Sequence, residues 1–130
     1  MQVKVDFSRE FKGSFENERG ASLKLGREAG EFEPYELLPA ALAACFYATF
    51  LGIVEKQKLD FEAAEIELSG KKREEAPTFL ESVLLVLKIK GAEKSLEPKF
   101  SRAAELAAKY CSIYQTIAQV AKMELKLELI

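Results

Sequence analysis

The chain has 130 residues, enough for one domain with a core of its own, and it is 48% apolar with a formal net charge of −2. That balance offers no bulk attraction to nucleic acid or to an anionic membrane, and the basic run Lys71-Lys72-Arg73 is cancelled at once by Glu74-Glu75. Two cysteines and no histidine point to a two-thiol site ahead of a metal site or a nucleophile that relies on an imidazole base.

The predicted elements begin with short strands. Val3, Val5 and Phe7 alternate with Lys4 and Asp6, the period of a half-buried strand and not the apolar run of a leader segment. A cytoplasmic location is the default expectation. There, paired thiols tend to be catalytic or redox-sensing, not structural. Phe11 and Phe15 flank Gly13, read as a turn or bulge, and Leu23 and Leu25 alternate with Lys24. Gly20, Gly26 and Gly30 punctuate these pieces.

A helix is predicted from Glu33-Pro34-Tyr35-Glu36 to about Lys58. Proline suits the first helical position, and Glu36 suits the positive end of the helix dipole. Leu37 to Val54 carries no charged residue over 18 positions, long enough to be weighed as a membrane span. Its alanine content, Pro39, Gly52, Tyr47 and Thr49 favour a central helix covered all round by protein.

Two strands follow. Glu62 to Ser69 sets Ala64, Ile66 and Leu68 on one face, and Phe79 to Lys90 sets Val83, Leu85, Leu87 and Ile89 on one face with Leu84 and Val86 opposite. The second strand is expected to be central, with 70–77 as the hairpin connection. A second helix is predicted from Glu97-Pro98 to Ala121, with Leu106, Tyr110, Ile113, Ile117 and Val120 as its apolar stripe. Met123, Leu125, Leu127 and Leu129 then alternate with charged residues in a final strand. The order is βββ-α-ββ-α-β in a single domain of residues 1–130.

Each cysteine falls on a stripe of small residues. Ala41, Cys45, Ala48 and Gly52 share a face of the first helix, and Ala104, Ala108, Cys111, Gln115 and Ala118 share a face of the second. Two such stripes facing each other would bring the sulfurs within reach. A reactive thiol also needs a lowered pKa, from a cation or a helix N-terminus. Cys45 lies too far into its helix for that helix's own dipole to help, so Arg19, Lys24 and Arg27 are the cations considered. Two inert apolar fillers remain the alternative.

The segment Pro34-Tyr35-Glu36-Leu37-Leu38-Pro39-Ala40-Ala41-Leu42-Ala43-Ala44-Cys45 resembles the Pro-x-Glu-Leu-Leu-x-Ala-Ala-x-x-x-Cys signature of the OsmC/Ohr family. Lys109-Tyr110-Cys111-Ser112 resembles its second motif, and Arg73-Glu74-Glu75-Ala76-Pro77 looks like a segment of the YhfA-like branch. The resemblance implies an α+β fold, with two long central helices wrapped by antiparallel sheets in an intertwined homodimer. It further implies a thiol-dependent peroxidase acting on organic hydroperoxides, with no metal or organic cofactor. In that scheme Cys45 is oxidised to a sulfenic acid, Cys111 resolves it as a disulfide, and an external dithiol reductant restores both. In the Ohr and OsmC branches the helix carboxylate lies ten residues before the first cysteine, where this chain has Tyr35; Glu36 is nine before, as in the YhfA-like branch, an offset that leaves it a helix cap or a contact with the partner subunit as alternatives to a neighbour of Cys45. For the activating cation Arg27 is set beside Lys24 and Arg19. A non-enzymatic domain binding an apolar or thiol ligand, and a stress-related interaction protein with buried cysteines, are the competing expectations. Neither nucleic acid nor membrane is expected as a partner.

Overall fold

The computed structural model describes residues 1–130. The chain divides into two compact units, Met1–Ala40 and Ala41–Ile130.

The first unit holds an antiparallel meander of β1 (Val5–Phe7), β2 (Gly13–Glu16) and β3 (Ser22–Leu25), with β2 in the middle. Val5 stands opposite Phe15, and Phe15 opposite Leu23, so the alternation read from the sequence becomes one cross-strand apolar row. Gly13 is not a turn or bulge. It is a paired residue opposite Phe7 and Leu25. A Cβ there would stand 2.6 Å from a Phe7 ring carbon, so the missing side chain lets that ring lie across the middle strand.

Helix α1 (Pro34–Lys56) starts in the first unit and continues into the second. Its start is fixed by Pro34 and by Glu36, whose Oε1 accepts the Glu33 backbone N–H at 2.9 Å, the return half of a capping box. Its end comes two residues before the predicted one. Lys58 takes φ 56°, Leu59 N–H donates to the Val54 carbonyl at 2.9 Å, and Lys58 N–H to Glu55 at 3.1 Å. This is a Schellman closure with a lysine at the left-handed position.

In the second unit, β4 (Ala63–Lys72), β5 (Leu80–Lys90) and β6 (Lys122–Leu129) form a sheet in that order. β5 is central, as its two-sided apolar pattern predicts, and Leu85, Leu87 and Ile89 are fully buried. β4 runs antiparallel to β5, but β6 runs parallel to it, so this sheet is mixed and not wholly antiparallel. The cause is the connection. Between β5 and β6 the chain passes through helices, which return it to the starting end of the sheet, whereas a hairpin would reverse it. Gly70 is not in the hairpin connection. It pairs with Val83 inside β4, and the connection is 73–79. There the Arg73 Nε–H donates to the Pro77 carbonyl at 2.7 Å and the guanidinium lies 3.9 Å from the Phe79 ring centroid.

The predicted second helix is two helices, α2 (Glu97–Tyr110) and α3 (Ser112–Ala118), broken at Cys111. The buried face of α2 is Phe100, Ala103, Ala104 and Ala107, while Tyr110 and Val120 of the predicted stripe are 67% and 59% exposed. Alanine wins the inner face because α2 packs on the sheet at β6, and small side chains let a helix approach closely.

Leu42, Phe46, Phe50 and Val54 recur every fourth position of α1 and form its buried stripe. Their rings continue a chain of contacts. Phe50 lies 6.2 Å from Phe61, Phe61 lies 6.1 Å edge-on to Phe100, and Phe46 lies 6.3 Å from Tyr114. This run ties α1 to α2 and α3. Ala41, Ala44, Ala48 and Gly52 are exposed, so within this chain α1 is covered on one side only, not all round. It is long and apolar enough to cross a membrane, yet its bulky stripe belongs to the core.

Candidate functional site

The break between α2 and α3 builds the site. Cys111 has φ −72° and ψ 114°, an extended conformation between two helices. Its N–H still closes α2 on the Ala107 carbonyl at 2.8 Å, and its carbonyl accepts the Gln115 N–H at 3.0 Å. Its sulfur accepts the Tyr114 N–H at 3.4 Å. Cys111 therefore occupies the N-cap position of α3, with sulfur in place of the usual side-chain oxygen. It is fully buried.

Cys45 lies on α1, beside the buried Phe46 and partly buried itself. Its Sγ is 3.9 Å from the Ser112 hydroxyl. The strongest influence on it is the backbone N–H of Ile113, followed, against an opposing desolvation, by the Cys111 thiol, the Ser112 hydroxyl and the Ser112 N–H. All four donors favour the thiolate, so Cys45 ionises below the ordinary thiol range.

Cys111 is shifted the other way. Burial raises it first, the Tyr114 N–H partly offsets this, and the Cys45 sulfur raises it further by hydrogen bond and by charge. Tyr114 is raised by burial and by the neighbouring Cys111. The two thiols are therefore unequal: Cys45 is the one that gives up its proton more readily, and Cys111 is the one that holds it. Both are free thiols, and no group of three metal-ligating side chains exists in the chain. Such a pair can attack an electrophile from Cys45 and close a disulfide from Cys111.

The other predicted residues lie in the first unit. Arg27 is 76% exposed, with Nε 3.3 Å from Glu33 Oε1 and its guanidinium 5.1 Å from the Phe11 ring centroid. Glu36 caps α1 through the Glu33 N–H. Lys24 is on β3 opposite Ser14. Arg19 stands in the turn after β2, its N–H donating to Asn17 Oδ1 at 3.0 Å.

Sequence reasoning did not foresee Ser112 and Ile113 as donors, because it ran one helix through them. A weak signal was there. Tyr110, Cys111, Ser112 and Ile113 are four consecutive residues of modest helix propensity, but no glycine or proline marks the break.

The fold and its two sulfurs can be set against known proteins. A family model described as OsmC-like protein matches residues 27–126. A hypothetical protein from Aquifex aeolicus has the same fold at 24% identity and TM-score 0.86, covering 99% of this chain and 95% of that one. An OsmC-like protein from Mycoplasma pneumoniae matches at 17% identity and TM-score 0.87, covering 99% and 96%. The organic hydroperoxide resistance protein OhrB of Bacillus subtilis matches at 19% identity and TM-score 0.70, covering 98% of each chain. No curated relative matches the sequence. The family model spans both cysteine motifs, and the shared architecture runs almost from end to end, so the chain belongs to the OsmC-like family.

Proposed function

We propose that the protein is a thiol-dependent peroxidase that reduces organic hydroperoxides. What supports this reading is the unequal thiol pair: a partly buried Cys45 with the Ser112 hydroxyl 3.9 Å from its sulfur and its thiol pushed down, and a fully buried Cys111 whose thiol is pushed up. Cys45 packs against the apolar core, a setting that suits an organic peroxide better than a small polar one. A solved structure of the same fold bears the name organic hydroperoxide resistance protein.

In the proposed cycle the Cys45 thiolate attacks one peroxide oxygen. The O–O bond breaks, Cys45 becomes a sulfenic acid, and the departing alkoxide takes a proton to leave as the alcohol. Cys111 then attacks the sulfenic sulfur, a hydroxide leaves and becomes water, and a disulfide joins the two. An external dithiol returns both thiols and departs as its own disulfide. Arg27 and Glu36 are proposed as the charge partners of the site. For Arg27 that role requires exchanging the Glu33 carboxylate for the site.

The test is the mass of the reduced protein after one equivalent of cumene hydroperoxide. The expected product is lighter by two hydrogens, with the Cys45 and Cys111 peptides linked. Unchanged thiols would sink the reading.

The second part of the proposal is a homodimer. Its support is the exposed Ala41, Ala44, Ala48 and Gly52 face of an otherwise core-forming helix. A small-residue face lets another helix come close, and water is a poor neighbour for so apolar a segment. Light scattering is expected to give twice the chain mass. A monomer at micromolar concentration would overturn this part.

A further inference from the structure

We propose that Gln115 is a positioning residue for Cys45: its side-chain amide takes the Ala108 carbonyl, and so holds open the helix break that turns the Ser112 and Ile113 N–H groups toward the sulfur.

The argument is an accounting of backbone donors. In a continuous helix Ser112 N–H would donate to Ala108 and Ile113 N–H to Lys109, four residues back. With Cys111 extended, these two amides become the first of α3 and have no carbonyl within that helix. The break sets this segment beside Cys45, with the Ser112 hydroxyl 3.9 Å from its sulfur, and the Ile113 and Ser112 amides there favour the charged form of the thiol. The exchange leaves the Ala108 carbonyl, at the exposed side of the break, without its regular intrahelical donor.

Gln115 fills that place. Its Nε2 donates to the Ala108 carbonyl at 2.9 Å, across the break. Its backbone N–H donates to the Cys111 carbonyl at 3.0 Å. One residue thus closes the first turn of α3 through its backbone and ties α3 to the last turn of α2 through its side chain. Removing only the side-chain amide leaves Ser112 N–H the natural replacement donor for Ala108, by closing the helix and leaving the sulfur.

This inference rests on the reading of Cys45 as a reactive thiolate. The titratable groups bearing on the pair are Cys111 from the break and Tyr114 from α3. The test is the rate of Cys45 alkylation by iodoacetamide as a function of pH, followed by peptide mass, in the wild type and in Gln115→Met. Methionine keeps the length and the helix preference but cannot donate. Because Cys45 is an acid whose pKa the site lowers, its reactivity should be gained at a lower pH than in an ordinary thiol, whose midpoint is about 8.5.

The expected result is a wild-type midpoint below that value, and a Gln115→Met midpoint about one unit higher, a roughly tenfold loss of thiolate on the acid side of both. Gln119→Met is the control. It removes another α3 amide, one that donates to the Gln115 carbonyl at 3.2 Å, and should leave the midpoint in place. A purely structural role for Gln115 would lower the melting temperature without moving the midpoint, and that outcome overturns the proposal. If the wild type itself titrates as an ordinary thiol, the peroxidase reading falls with it. If the wild type is low and Gln115→Met equally low, only the assignment of Gln115 falls. Should the methionine variant not fold, Gln115→Leu carries the same comparison.

Discussion

Replacing Cys45 by serine is expected to abolish hydroperoxide consumption, while Cys111→Ser permits oxidation of Cys45 itself but no disulfide-linked turnover. The asymmetry follows from the two environments. Groups from Ile113, Cys111 and Ser112 lower the Cys45 thiol and so suit it to the proposed role of nucleophile. A serine hydroxyl at the same place stays protonated and attacks poorly, so the loss should be at least about a thousandfold. Cys111 is buried, and burial pushes its thiol up, which suits a partner that acts second. In Cys111→Ser the sulfenic acid has no resolving thiol and should pass to sulfinic acid under excess peroxide. Stopped-flow peroxide loss and peptide masses check both. Full turnover by Cys45→Ser, or an unoxidised Cys45 in Cys111→Ser, would defeat the assignment of roles.

The largest structural effect is expected at Phe50. Its ring is completely buried and lies 6.4 Å from Phe46, 6.4 Å from Tyr47 and 6.2 Å from Phe61. It stands in the middle of the run that binds α1 to the two later helices. Phe50→Ala leaves a cavity that its neighbours cannot close without moving, and should cost about 3–5 kcal/mol. For a chain of this size that is a fall of roughly 10–20 °C in Tm. Tyr110→Ala, at an exposed ring, should stay within about 0.5 kcal/mol if nothing covers it. Urea midpoints decide the comparison, and a loss below about 1 kcal/mol at Phe50 would show the run is not the core.

Much of this architecture was legible because period and burial coincide. Val83, Leu85, Leu87 and Ile89 alternate in sequence and turn one buried face inward, and the central place of β5 followed from its two-sided apolar pattern. The direction of β6 was not legible, since alternation says which face is wet but not which way the strand runs. The inner face of α2 was misread for a different reason. Tyr110 is far larger than Ala103 or Ala107 and drew the stripe to itself, but close approach to the sheet selects small side chains, and Val120 lies beyond the end of α3. The thiols themselves stood out in a chain of so few cysteines. The break that makes them unequal did not, because a buried sulfur acting as a helix cap leaves no glycine or proline behind.

The redirected amides of Ser112 and Ile113 also bear on redox poise. They favour a negative sulfur at position 45, which exists only while the pair is reduced. Once Cys45 joins Cys111 in a disulfide, that charge is gone and the donors face a neutral atom. Whatever stabilises the reduced form raises the reduction potential of the couple. In the proposed cycle, the same groups that prepare Cys45 for attack would also make a Cys45–Cys111 disulfide easier for the external dithiol to reduce.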